Sequence, residues 1–281
     1  MWPFTRTPVV PVLRLQGVIG MATPLRPGLS LAAVAGALER AFTISKTPAV
    51  AIAINSPGGS PVQSSLILNR LRQLAEEKKK KVHVFCEDVA ASGGYYLALA
   101  GDEIYADASS IVGSIGVISA GFGLDKAIGR LGIERRVYTS GESKGSLDMF
   151  QPENDDDIAR LKALQRDVHD IFIGAVKERR AGRLKGSDAE MFSGAFWSAG
   201  KALELGLIDG VGDLRLRMRE VYGPKVQLKP VPIGGGGLLA RLRRSPAAGD
   251  ASLALPGAGL AIAEDLVSAI EARAHWSRFG L

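Results

Sequence analysis

Ala49-Val50-Ala51-Ile52-Ala53-Ile54-Asn55-Ser56-Pro57-Gly58-Gly59 runs six apolar residues into a polar, glycine-rich turn. An unbroken apolar run of this length, rich in β-branched residues, reads as a strand buried on both faces, the pattern of a parallel sheet covered by helices. The flanking segments agree. Val62 to Lys80 carries Leu66, Leu68, Leu71 and Leu74 at helical spacing, and Lys81 to Cys86 returns to an apolar strand. Upstream, Val9 to Leu15 reads as a strand and Leu29 to Thr43 as a helix, with Leu31, Val34, Ala35 and Leu38 on one side. Strand, turn and helix alternating in this way predict an α/β fold with a mostly parallel sheet and right-handed crossovers.

Further along, the pattern predicts a helix from Ser92 to Ala100, a strand over Glu103–Ala106 and a helix over Leu124–Leu131. Glu134–Tyr138 reads as a strand that delivers the chain to Lys144, and Pro152 to Ala181 as a long amphipathic helix. Phe196 to Asp209 gives a capped helix, a glycine stop and a short strand, and Leu214 to Val221 a last helix. These elements predict one folded domain over residues 1–224. Pro230, Pro232 and the Gly234–Gly237 run mark a linker over 225–260, followed by a terminal helix within 261–281.

With 281 residues, 46% of them hydrophobic, the chain can bury a sizeable core. The single cysteine, Cys86, excludes an internal disulfide and reads as a buried, reduced thiol. The N-terminal apolar residues are broken by Pro3, Pro8 and Pro11, and no stretch reaches the roughly 20 apolar residues of a membrane span. The cytoplasm is the expected compartment. The net charge of +6 is dispersed, and Lys78–Lys81 reads as a solvated helix end, so nucleic-acid binding is not expected. Arg241-Leu242-Arg243-Arg244 is the one cluster suited to a weak peripheral contact with an anionic membrane.

The chemistry concentrates at Val89-Ala90-Ala91-Ser92-Gly93-Gly94-Tyr95-Tyr96, a small-residue bend between a strand and a helix. A serine hydroxyl attacks a carbonyl only when a base takes its proton, and a lysine is such a base only once burial lowers its pKa from about 10.4. Lys144, in Ser140-Gly141-Glu142-Ser143-Lys144, is the candidate base. Ser92 and the Gly58-Gly59 turn sit at the ends of neighbouring strands, which in parallel sheets line one crevice. The N–H groups of Gly59 and Gly93 are therefore candidates for an oxyanion hole. Of the three histidines, His83 lies within a strand and His275 near the end of the chain, while His169, on the long helix, stays open as an alternative base. Metal-ligand spacings and a phosphate loop are missing from the sequence, so neither a metal nor a cofactor is expected.

Five motifs in order resemble the signal peptide peptidase A family of serine peptidases, which use a Ser-Lys dyad on the spiral fold shared with Clp protease and the crotonases. They are Asn55-Ser56-Pro57-Gly58-Gly59, Ala91-Ser92-Gly93-Gly94-Tyr95-Tyr96, Gly113-Ser114-Ile115-Gly116-Val117, Ser140-Gly141-x-x-Lys144, and Ala202-x-x-x-Gly206-Leu207-Ile208-Asp209. The resemblance spans about Val9 to Tyr222. It implies Ser92 as nucleophile, Lys144 as general base, Gly59 as an oxyanion donor and Ser114 as the hydroxyl that orients the lysine amine. It also implies peptide substrates, extended and largely apolar, and a ring-shaped homo-oligomer in which neighbours can share a dyad. Family members that clear cleaved signal peptides carry a membrane anchor; the reading here is a cytoplasmic enzyme, at most peripheral to the inner membrane. Two other readings stand beside it: a crotonase-like acyl-CoA enzyme that uses glycine N–H groups and no serine nucleophile, and a non-catalytic ring scaffold.

Overall fold

A computed structural model describes residues 7–20, 28–234 and 273–281. The N-terminal half is a run of alternating elements: β1 (Val9–Gln16), α1 (Leu31–Thr43), β2 (Ala49–Ser56), α2 (Pro61–Lys78), β3 (Lys81–Ala91) and α3 (Gly93–Ala98). Then come β4 (Glu103–Ala106), β5 (Ile111–Gly113), α4 (Asp125–Arg130), α5 (Asp155–Arg179) and α6 (Asp188–Met191). The series closes with β6 (Phe196–Ser198), α7 (Ala199–Glu204), β7 (Gly210–Val211), α8 (Leu214–Tyr222) and β8 (Gln227–Val231). Side chains mark several helix starts: the hydroxyls of Ser30 and Ser60 and the carboxylate of Asp213 each accept a backbone N–H in the following turn.

The strands form one sheet in the order β6-β5-β3-β2-β1-β8, with β4 beside β3 and β7 beside β4. Every pairing is parallel except β5 with β6. All eight residues of β2 are buried, as its unbroken apolar run requires. Val50, Ile52 and Ile54 enter the main core under α1, α2, α3 and α5, while Ala49 and Ala51 face a smaller cluster with Met218 of α8. The long β3 serves two partners in succession, β4 along His83–Cys86 and β5 along Val89–Ala91. That second pairing brings Ser92 to the neighbourhood of the Gly113-Ser114 segment.

Two sequence expectations change. Glu134–Tyr138 is not a strand: it is exposed and pairs with no strand among the described residues, within a stretch from Ile118 to Asn154 that buries none of its described side chains. The fold also does not end at Pro224. β8 pairs in parallel with β1, Pro230 standing opposite Val12; an edge strand tolerates a proline because its missing N–H costs no ladder bond on the open side. The rest of the expected linker, 235–260, and the greater part of the expected terminal helix, 261–272, fall outside the described residues. Within 273–281 a helical turn covers 273–277.

On the α8 side of the sheet, His83 is fully buried, with Nε2 2.9 Å from the Tyr222 hydroxyl. The Glu103 carboxylate approaches Nδ1 at 3.2 Å without the alignment of a hydrogen bond. Burial lowers the His83 pKa, and Lys81 and Arg217 push the same way against Glu103. A folded-state pKa below the unfolded value means that the unfolded chain binds the proton more readily. His83 therefore contributes stability above the unfolded value, about 6.5, and this is lost as pH falls through the lowered value. We expect the urea midpoint to fall from about pH 7.5 to about pH 5.5, and His83→Gln to flatten that dependence. An unchanged slope in the variant would assign the pH response elsewhere.

Candidate active site

Ser92 occupies the junction of β3 and α3 with φ 53° and ψ −123°. A side chain in this region costs roughly 1–3 kcal/mol and persists only where its surroundings fix it. Here the Ser92 N–H donates to the Gly113 carbonyl at 2.8 Å, and the Ser92 carbonyl accepts the Tyr96 N–H at 2.9 Å. A serine held on a tight, strained turn from strand to helix has its hydroxyl displayed rather than packed, the geometry of a nucleophile elbow. Ser92 is accordingly half-buried while the residues around it are closed off.

The turn after β2 lies against this elbow. A Cβ on Gly58 would stand 2.8 Å from Ser92 Cβ, and one on Gly93 would stand 2.6 Å from Ser64 Oγ. Gly59 has φ 137° and bridges to Ile19. The Ile19 N–H donates to the Gly58 carbonyl and the Ser60 N–H to the Ile19 carbonyl. This leaves the N–H groups of Gly59 and Gly93 without an acceptor among the described residues. Ser56, fully buried, donates its hydroxyl to the Gly17 carbonyl at 2.7 Å and accepts the Gly58 N–H, which ties the turn to the end of β1.

Ser92, Gly59 and Gly93 face a cavity of about 260 Å³. Its walls are apolar: Val62 and Leu66 from α2, Tyr96 from α3, Val117, and Val168, Ile171 and Phe172 from α5. Leu66 is 41% and Ile171 64% exposed, so the apolar wall extends to the surface between α2 and α5. Periodicity alone does not separate Val168, Ile171 and Phe172 from the core-facing stripe of α5. Their distinguishing signal, an apolar stripe longer than the core that covers it, becomes visible only in three dimensions.

Ser114 follows β5 as Ser92 follows β3, on strands paired at Ala91 and Gly113, and it shares the same φ of 53°. It is buried, and its N–H donates to the Ala195 carbonyl at 2.7 Å. The next residue, Ile115, has its carbonyl 3.1 Å from His169 Nε2. That contact occupies the ring nitrogen and fastens α5 to the strip of chain beside the cavity. The fold thus brings Ser92, Gly59, Gly93 and Ser114 together. Lys144 is elsewhere: it is exposed, in a 3-10 turn over Glu142–Gly145 within the Ile118–Asn154 stretch, and does not line the cavity. Burial pushes the Cys86 thiol up to about 12, which removes it as a nucleophile at neutral pH.

A half-buried serine on a strained elbow thus lies beside glycine N–H groups that have no acceptor among the described residues, at one end of a mostly parallel sheet, an arrangement chemically able to attack a carbonyl and hold the resulting oxyanion. The chain belongs to peptidase family S49, whose model matches residues 74–221. A chloroplastic serine protease of Arabidopsis thaliana, SPPA, is 32% identical over 170 residues, covering 60% of this chain and 25% of that protein. A protein of Brucella abortus named as the Na(+)/H(+) antiporter NhaA is 55% identical over 275 residues. This match covers 97% of the present chain but only 37% of the Brucella protein. The name belongs to that longer protein, of which this chain spans about a third; among the described residues of the present chain no helix is long and apolar enough to cross a membrane. The fold is also similar to that of the membrane-bound stomatin-specific protease 1510-N, with a TM-score of 0.51 at 17% identity, covering 82% of this chain and all of that one. The α/β, Clp protease/crotonase-like architecture expected from sequence is the one found.

Proposed function

We propose that this protein is a serine endopeptidase that hydrolyses extended, largely apolar peptides through an acyl-enzyme on Ser92. The observation that carries the reading is the Ser92 elbow opening onto an apolar cavity beside the unpaired N–H groups of Gly59 and Gly93. In this scheme the Ser92 hydroxyl attacks the scissile carbonyl, and the two N–H groups hold the developing oxyanion. Lys144 takes the hydroxyl proton and returns it to the departing amine, with Ser114 orienting its amine; water then releases the acyl group with the roles reversed. No cofactor enters the scheme.

A lysine is a base only where burial strips water from its ammonium, and Lys144 lacks that burial within one chain. We therefore assign the base to a neighbouring copy in a ring-shaped homo-oligomer, in the cytoplasm or at the periphery of the inner membrane. The apolar wall selects apolar side chains, and an extended backbone is what a groove between α2 and α5 admits. The direct test is cleavage of an unfolded apolar peptide library, read by mass spectrometry, by wild type, Ser92→Ala and Lys144→Ala. Loss of cleavage by about 10³-fold or more in each variant is expected, the scale seen when a member of a catalytic unit is removed. Cleavage that survives Ser92→Ala would sink the proposal.

A further inference from the structure

Residues 273–281 reach the face of β3 opposite the main core. Val89 and Ala91 point to that face, whereas Ala90 between them enters the core under the helices. Phe279, only 7% exposed, is buried with Val89 and Ala91, and Ile111 and Trp276 pack against the same cluster. Its ring lies 5.1 Å from that of Phe196 at 68°, an edge-to-face contact. Phe279 thus gathers side chains from β3, β5 and β6 into one cluster.

Each of these neighbours stands beside the machinery assigned above. Ala91 precedes Ser92, and Ile111 opens the three-residue strand that ends at Gly113, whose carbonyl fixes the Ser92 N–H. Phe196 is the register partner of Gly113, and the adjacent Ala195 carbonyl fixes the Ser114 N–H. Strands of three residues hold little stability of their own, and β6 is an edge strand of the sheet. Both serines also hold a strained φ that their surroundings must impose. We propose that Phe279 is a positioning residue for the active site, a plug on the back of the sheet that keeps β5 and β6 pressed to β3 and so holds Ser92 and Ser114 in place. The proposal rests on the peptidase reading. No residue of 273–281 lines the cavity, so Phe279 acts through the strands and not on the substrate.

The experiment uses the full chain with Phe279→Ala and Phe279→Leu, at a temperature where circular dichroism shows the fold intact. In Phe279→Ala we expect kcat to drop about tenfold to 100-fold, the scale of a small displacement at a reacting centre. KM should stay within about twofold, because the cavity wall is on the other face. Phe279→Leu, which restores most of the buried volume, should recover most of kcat. Backbone hydrogen exchange supplies a readout independent of catalysis: peptides covering 89–96 and 111–117 should exchange faster in Phe279→Ala than in wild type, by about tenfold. Should Phe279→Ala not fold, Phe279→Leu decides, with faster exchange in the same two peptides expected. Unchanged exchange there, or a wild-type kcat in a folded Phe279→Ala, overturns the proposal. A wild type whose cleavage does not depend on Ser92 would instead remove the peptidase reading, while the exchange result would still decide the plug.

Discussion

Co-assembly of the inactive Ser92→Ala and Lys144→Ala chains in equal amounts is expected to restore about a quarter of wild-type activity, the fraction of sites in a randomly mixed ring that receive both an intact serine and an intact neighbouring lysine. The expectation follows from where the two residues lie. Ser92 is fixed at the cavity by the sheet, whereas Lys144 rides on the segment from Ile118 to Asn154. That segment is internally braced: the Leu124 N–H donates to the Met149 carbonyl, Arg135 pairs with Asp148, and Asp157 at the start of α5 accepts from Ser146. It nevertheless exposes Phe122 at 82%, Leu131 at 73% and Tyr138 at 91%. Apolar surface of this kind on one arm marks a contact with another protein, and in the proposed ring a second copy would supply what each active site lacks. Two affinity tags, one per variant, and tandem purification from co-expression would isolate only mixed particles. Activity in those particles above that of either variant alone supports a shared dyad. Mixed particles as inactive as their parents would place both residues of each dyad on one chain and require the arm to fold back.

The sheet was legible because its signals are local. An apolar run such as Ala49–Ile54 needs only its own composition to be read as a doubly buried strand, and the small residues around Ser92 announce a tight junction. Where the reading fell short, the missing information lay in partners distant in sequence. β3 continues through Glu87 and Asp88, charges that argue against a strand until Arg14 is seen 2.8 Å from Glu87 and Asn55 2.5 Å from Asp88. Pro230 suggests a linker until β1 is seen beside it. Glu134–Tyr138 has strand composition, yet composition cannot supply the neighbouring strand that a ladder needs. At the site, the glycines and Ser92 were readable as turn residues. Ser56 and Phe279 were not, since a buried hydroxyl holding a turn and a ring plugging the back of a sheet look in sequence like any serine or phenylalanine. Lys144 is exposed in a 3-10 turn, and its place in the proposed dyad would depend on a neighbouring copy that the sequence of one chain cannot display.

Gly59→Ala is expected to reduce kcat/KM by about 100-fold or more although the N–H that it carries remains, because the position and not the presence of the donor is at stake. A Cβ at this position would stand 2.1 Å from the Ile19 carbonyl oxygen and 2.7 Å from its nitrogen, both backbone atoms that no side-chain rotation can move. The φ of 137° adds strain that glycine alone escapes. The Ile19 bridge must therefore open, and with it the hydrogen bonds that aim the turn at Ser92. Gly17→Ala provides the control, since Gly17 also has a positive φ, 105°, but an added Cβ there meets nothing within 4 Å. It should lose about 1–2 kcal/mol of stability from backbone strain and keep its activity. Urea denaturation and kcat/KM measured side by side separate the two effects. If both variants lose stability alike and both keep activity, the Gly59 N–H is not an oxyanion donor, and the hole must be built from Gly93 and groups outside this turn.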